Sequence, residues 1–171
     1  MTVRPLSALA SVALLSAVLV LAAPGAMAQK EDLAGLGQGF RGLAWGTRLA
    51  DLPGMRRVAT GDRSARSHVL LHDDPVFAGV RVTRILYGFF DGALFKVTLE
   101  TADEQAAAAL ARTFFTAFGP PTGNASEGFN DVSVWTLKDV EIRCPAKEFD
   151  GPSKTVIAFR PLLLRMQARD N

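Results

Sequence analysis

The chain has 171 residues, of which 49% are hydrophobic and 21% charged, with 15 glycines and 9 prolines. These proportions exclude wholesale disorder and collagen-like repeats, and the length makes one domain the default. The formal net charge is +2, from 19 Lys and Arg against 17 Asp and Glu, so the pI near 9.0 rests on only two charges. A nucleic-acid binder concentrates basic groups on one face, so no nucleic-acid partner is expected.

Residues 1–28 read as an address. Arg4 is followed by an apolar run of Ala, Leu, Val and Ser from Leu6 to Ala23, broken at Pro24-Gly25. Ala26-Met27-Ala28 places small residues at −3 and −1, so a signal peptidase is expected to cut between Ala28 and Gln29. The competing reading is a retained anchor, but eighteen residues diluted by Ala and Ser sit at the lower edge of a spanning helix. No cysteine follows the run and only one arginine precedes it, which excludes lipid attachment and the twin-arginine route. The expected product is exported, periplasmic in a Gram-negative cell, with no membrane span once the signal is removed.

Residues 29–39 read as a flexible, Gly-rich leader, and 40–171 as a single domain. The Gly35-Leu36-Gly37-Gln38-Gly39 run lacks the preceding strand and the spacing of a phosphate loop. Trp45-Gly46-Thr47 makes a turn, with Thr47 as the expected cap of a short helix over 48–52 that Pro53-Gly54 stops. Met55 to Thr60 and Arg66 to His72 read as strands joined at Gly61-Asp62.

The clearest element is a hairpin, Val80 to Phe90 and Ala93 to Glu100, around Asp91-Gly92, a type I′ signal. A regular ladder from that turn sets Gly88 opposite Phe95 and Tyr87 opposite Lys96. One face then carries Leu86, Gly88, Phe90, Ala93, Phe95, Val97 and Leu99. The other carries Thr83, Ile85, Tyr87 and Phe89 with Leu94, Lys96, Thr98 and Glu100.

Thr101-Ala102-Asp103-Glu104 is a capping box that opens an amphipathic helix over about 102–118, with Leu110, Ala111, Phe114 and Phe118 at helical spacing. Gly119 ends it, and Pro120-Pro121 prevents its return. Thr122 to Asn130 reads as a loop. Asp131 to Leu137 and Val140 to Cys144 form a second hairpin, and Lys154 to Arg160 a last strand cut by Pro161. Leu162 to Met166 is a short helix or docked tail. Runs of strands with few crossovers predict an α+β fold: an antiparallel sheet of about six or seven strands, one long helix and the short N-terminal helix.

Phe40-Arg41-Gly42-Leu43-Ala44-Trp45-Gly46-Thr47, followed by Leu49 and Leu52, resembles the opening of a group of small exported bacterial proteins of unknown function, whose pattern is aromatic-x-Gly-x-x-Trp-Gly-Thr. Tyr87-Gly88-Phe89 and Gly119-Pro120-Pro121 are similar to later motifs of that group, so the resemblance spans most of residues 40–145. It implies an exported α+β domain and carries no activity or binding residues with it.

Little in the chain points to catalysis. His68 and His72 are the only histidines, followed by Asp73-Asp74. On a strand their Cα atoms lie about 13 Å apart, too far to share one ion. No Gly-x-Ser-x-Gly singles out a serine. Cys144 shares a strand face with Val140 and Ile142, the setting of a buried, inert thiol. Residues 41–84 carry a net +4 and residues 85–171 a net −2, which suits a wetted hairpin or an anionic partner. The leading reading is a non-enzymatic cell-envelope binding or interaction module without cofactor or metal, its partner another envelope protein or an apolar or anionic ligand. The candidate surface is Ile85, Tyr87, Phe89 and Leu94. Such an apolar face needs cover from the Trp45 segment, from Leu162 to Met166, or from another molecule. The alternative is a small hydrolase or metal-dependent enzyme using His68 or His72.

Overall fold

The computed structural model describes residues 33–60, 66–127, 130–146 and 151–170. The expected signal segment 1–28 and Ala28–Gln29 cleavage point, the first part of the expected leader and the Gly61-Asp62 joint lie outside the described residues. In chain order the elements begin with a small hairpin, β1 (Gly39–Phe40) and β2 (Leu43–Ala44). Then follow β3 (Met55–Arg57), β4 (Arg66–Leu70), a second small hairpin of β5 (Val76–Phe77) and β6 (Val80–Arg81), β7 (Arg84–Phe90) and β8 (Ala93–Thr101). The helix α1 (Glu104–Phe118) leads to β9 (Gly123–Glu127), β10 (Asn130–Leu137), β11 (Val140–Pro145), β12 (Ser153–Phe159) and the helix α2 (Arg160–Asp170).

The expected α+β layout needs correction. The described chain is dominated by one eight-stranded antiparallel sheet in the order β3-β4-β7-β8-β12-β11-β10-β9, with the two small hairpins beside it. The short N-terminal helix expected over 48–52 is a 3₁₀ turn at Leu49–Asp51 without a side-chain cap, because the Thr47 hydroxyl donates instead to the Ala44 carbonyl at 2.8 Å. The expected loop 122–130 supplies the edge strand β9, and a second α-helix closes the chain. Pro161 does not cut that helix off: it sits in the first turn, where its missing N–H costs nothing. The cap of α1 is Asp103, whose carboxylate accepts from the Ala106 amide at 2.8 Å. Thr101 remains in β8 and bonds the Ser153 hydroxyl at 2.9 Å.

A β-bulge decides which side chains share a face. At the turn, Asp91 and Gly92 have φ of 50° and 78°, the pair of positive values a type I′ turn needs. Phe90 faces Ala93 and Phe89 faces Leu94, but the ladder then shifts, so Gly88 faces Lys96 and Tyr87 faces Val97. Phe95 is the extra residue. Because side chains alternate along a strand, this one-residue shift moves the rest of β8 to the other face relative to a regular ladder. Val97 and Leu99 therefore join Ile85, Tyr87, Phe89 and Leu94, and Lys96 and Thr98 join Leu86 and Gly88.

Two apolar clusters result. The main one gathers Ile85, Tyr87, Phe89, Leu94, Val97 and Leu99 beneath Leu110 and Phe114 of α1, together with Trp135, Ile142, Cys144 and Ile157. The smaller one is Phe90, Phe95 and Met166, with Leu162 and Leu163 of α2. Phe95 lies under α2. That helix covers the second face only near the Asp91-Gly92 turn, where Arg169 bonds the Asp91 carboxylate at 2.9 and 3.0 Å.

The N-terminal motif acts as cover for the main core. Phe40 is fully buried, stacked on Phe77 at 5.4 Å and edge-on to Tyr87 at 5.9 Å. Trp45 stacks on Phe159 at 6.2 Å and donates its indole N–H to the Leu36 carbonyl at 2.8 Å. Backbone bonds from Gly46 to Leu94 and from Leu94 to Thr47 sew this segment to the start of β8. The second half of the expected flexible leader is therefore packed, with Leu36 fully buried.

Candidate functional site

The four residues taken as a binding surface are core. Ile85 is 5% exposed, Phe89 3%, and Tyr87 and Leu94 not at all. Their cover is intramolecular: Phe40 from β1, Phe77 from β5 and α1. The Tyr87 hydroxyl, a polar group that burial would penalise, donates to Asp73 Oδ2 at 2.7 Å. Asp73 Oδ1 accepts from Arg41 at 2.8 Å, and Arg41 also donates to the carbonyls of Asp74, at 2.7 Å, and Val76. This brace ties the β1–β2 turn to the segment before β5 and satisfies the polar end of the buried tyrosine.

The histidines do not converge. His68 lies on the core face of β4, 5% exposed, its ring edge-on to Phe89 at 5.1 Å. His72 is exposed in the turn beyond β4, with φ 63°. Among the described residues no group of three His, Cys, Asp or Glu is placed to hold a metal ion.

Cys144 is fully buried in the main cluster, which also holds Ile142 and Ile157. Burial pushes its thiol up from 9.0 to about 12, against the smaller opposing effect of a hydrogen bond from Thr155. The thiolate that nucleophilic chemistry needs is therefore withheld. Below pH 9 the thiol is neutral folded and unfolded alike. Between 9 and 12 the unfolded chain releases a proton that the fold retains, so stability falls by up to about 1.4 kcal/mol per pH unit. Urea melts at rising alkaline pH should show wild type losing stability faster than Cys144→Ala; parallel losses would contradict this account.

The second face of the sheet is where polar groups and space coincide. Strand alternation sets Leu86 and Gly88 of β7, Lys96 and Thr98 of β8, Lys154 and Val156 of β12 and Ser67 of β4 on this side, beyond the reach of α2. They line a depression of about 150 Å³, closed at one end by Thr60. A Cβ built at Gly88 would lie 3.2 Å from Cβ and Cε of Lys96, so the lysine stem packs over the glycine. Leu86, Gly88 and Val156 give an apolar floor. Ser67 and Thr98 are buried hydroxyls, 5% and 8% exposed, and Ser67 shares a 3.2 Å hydrogen bond with Thr60.

Charge surrounds this floor unevenly. Glu100 accepts from Arg84 at 2.7 Å and from Lys154 at 3.4 Å. Lys96 extends its ammonium group to 5.6 Å from the Phe95 ring centroid, a cation–π contact that the bulge makes possible. The neighbouring Arg143 and Glu141 pair with each other at 2.6 Å.

None of these residues stood out as a site in the sequence, although a glycine in a strand interior is a known sign of close approach by another group. The depression can hold one small group: an apolar cavity of about 150 Å³ accommodates a single benzene-sized ring, whereas ligand pockets usually run to about 300–1,000 Å³. None of the described helices is long and apolar enough to cross a membrane.

No family model and no curated protein matches the chain. Among solved structures it is similar to a DUF4309 family protein (YjgB) from Bacillus subtilis subsp. subtilis str. 168, with a TM-score of 0.50 at 12% identity, over 78% of this chain and 97% of that one. At that identity the likeness is one of fold alone, to a protein from a family of unknown function.

Proposed function

We propose that the chain is an exported cell-envelope protein acting as a non-enzymatic binding module, and that its ligand sits on the second face of the sheet. The observation that carries this reading is the depression over Gly88. Lysines, buried hydroxyls and an apolar floor meet there on a face that α2 leaves partly uncovered. The Ile85, Tyr87, Phe89 and Leu94 face supports it by contrast, being filled by the protein's own Phe40, Phe77 and Phe114. Export is supported by the Leu6–Ala23 run and the Ala26-Met27-Ala28 box, and by the resemblance of residues 40–47 to the exported group.

Two measurements test the two halves. The intact mass of the protein from its native cell should lack residues 1–28; a full-length mass in a membrane fraction would overturn export. Titrating the isolated protein with a set of small polar and aromatic fragments should move the backbone amide signals of Ser67, Gly88, Lys96, Thr98 and Val156 together. Shifts confined to other surfaces would remove the site from this face.

A further inference from the structure

We infer that α2 is a latch: it swings off the sheet on a pivot at Phe159–Arg160 while the rest of the fold stays closed, and its opening uncovers the rings of Phe90 and Phe95. Such a device controls how much of the second face is open, wherever on that face a ligand sits. The apolar seam under α2 is thin and separate from the main core: Phe90, Phe95 and Met166, with Leu162 and Leu163 half-buried beside them. Met166 is the one buried side chain among the described residues of the helix, and Leu164 is exposed. By contrast, α1 sinks Leu110 and Phe114 completely into the main core. Eleven residues make a marginal helix in water, so α2 depends on its docking for its helicity, and undocking and melting are one event. Water disfavours two bare phenyl rings, which makes the closed state the resting one.

The two ends of the helix are held differently. At the pivot, β12 passes into α2 with no residue between. The Arg160 amide donates to the Asp139 carbonyl at 2.8 Å, which continues the β11–β12 ladder by one residue and fixes the start of the helix. Arg160 also precedes Pro161, whose ring disfavours helical geometry in the residue before it, so the backbone at the pivot gains by straightening. At the far end Arg169 is the clasp. Its guanidinium donates to both Asp91 carboxylate oxygens, at 2.9 and 3.0 Å, and lies 4.7 Å from the Phe90 ring centroid. Both partners of that ion pair are more than half exposed, so salt screens it and it holds the helix weakly. A fixed pivot, a thin seam and a screened clasp give a helix that peels away from its C-terminal end.

Amide hydrogen exchange and thiol trapping on the isolated protein test this. The amides of Leu164 to Arg169 should be at least about a hundredfold less protected than those of Val97 and Leu99 in the central strand β8, and low urea should barely change them, as local opening requires. An α2 as protected as β8 would overturn the latch. Arg169→Gln should speed exchange of the α2 amides about tenfold and leave the thermal melt in place. Added sodium chloride should speed it more in wild type than in that variant. Arg165→Gln, the same loss of charge at an exposed position of the helix, should leave it unchanged; an equal effect would overturn the clasp. The thiol introduced by Met166→Cys should react with a water-soluble maleimide while Cys144, buried in the main core, does not. Both thiols reacting together, at the rate of global unfolding, would make α2 part of one cooperative unit and overturn the proposal.

Discussion

Phe89→Asp should yield no folded protein at neutral pH. Phe89 is 3% exposed in the main cluster, so the substitution removes a packed ring and puts a carboxylate among apolar groups. Losing a core Phe costs about 3–5 kcal/mol, and an unpaired buried charge adds several more, against a total stability of about 5–15 kcal/mol for a domain. His68 lies edge-on to Phe89 at 5.1 Å, and a contact with it would not refill the lost volume. Circular dichroism of the purified variant is the check. A native spectrum and melt would mean that this face is surface after all.

The second large effect is Phe114→Ala in α1. Phe114 is fully buried, within 6.3 Å (centroid to centroid) of Phe77, Phe118 and Trp135. Trp135 is itself held by an indole N–H donated to the Gly119 carbonyl at 2.9 Å, so the cavity cannot close by that ring sliding inward. A loss of about 3–5 kcal/mol is expected in a urea melt. A loss below about 1 kcal/mol, the size of a tolerated volume-conserving swap, would show that the helix is not packed as described.

The local signals of the sequence carry different amounts of the fold. The Asp91-Gly92 turn and the Leu110 and Phe114 stripe were legible, because each depends on a few neighbouring residues. The hairpin register was not, because a bulge leaves no compositional mark of its own. The sequence did hold an indirect one. A regular ladder puts Ile85 and Tyr87 opposite Thr98 and Lys96, a chemically mixed face, whereas slipping by one residue sets them opposite Leu99 and Val97. The same slip hid the candidate site. A regular ladder sets Lys96 and Thr98 on the face of Ile85 and Tyr87, whereas the bulge places them beside Gly88 on the opposite face. The strand β9 was missed because Gly123-Asn124-Ala125-Ser126 has turn composition; it is an edge strand held by the ladder of β10 rather than by its own propensity. The capping box misled by two residues because Thr101 is held by its strand neighbour Ser153, leaving Asp103 to cap.

Gly88 and Phe89 are neighbours in sequence that point to opposite faces, and the account requires them to have opposite roles. The most direct test is a titration of Gly88→Val with the small polar and aromatic fragments, read against its thermal melt. The added side chain meets Lys96 Cβ and Cε at 3.2 Å, of which only the Cε end can swing aside, so the folded variant should melt lower than wild type and lose the fragment-induced amide shifts of Lys96, Thr98 and Val156. A Gly88→Val protein that is folded and binds the fragments as wild type does would contradict the claim that this face of the sheet is where the protein holds its ligand.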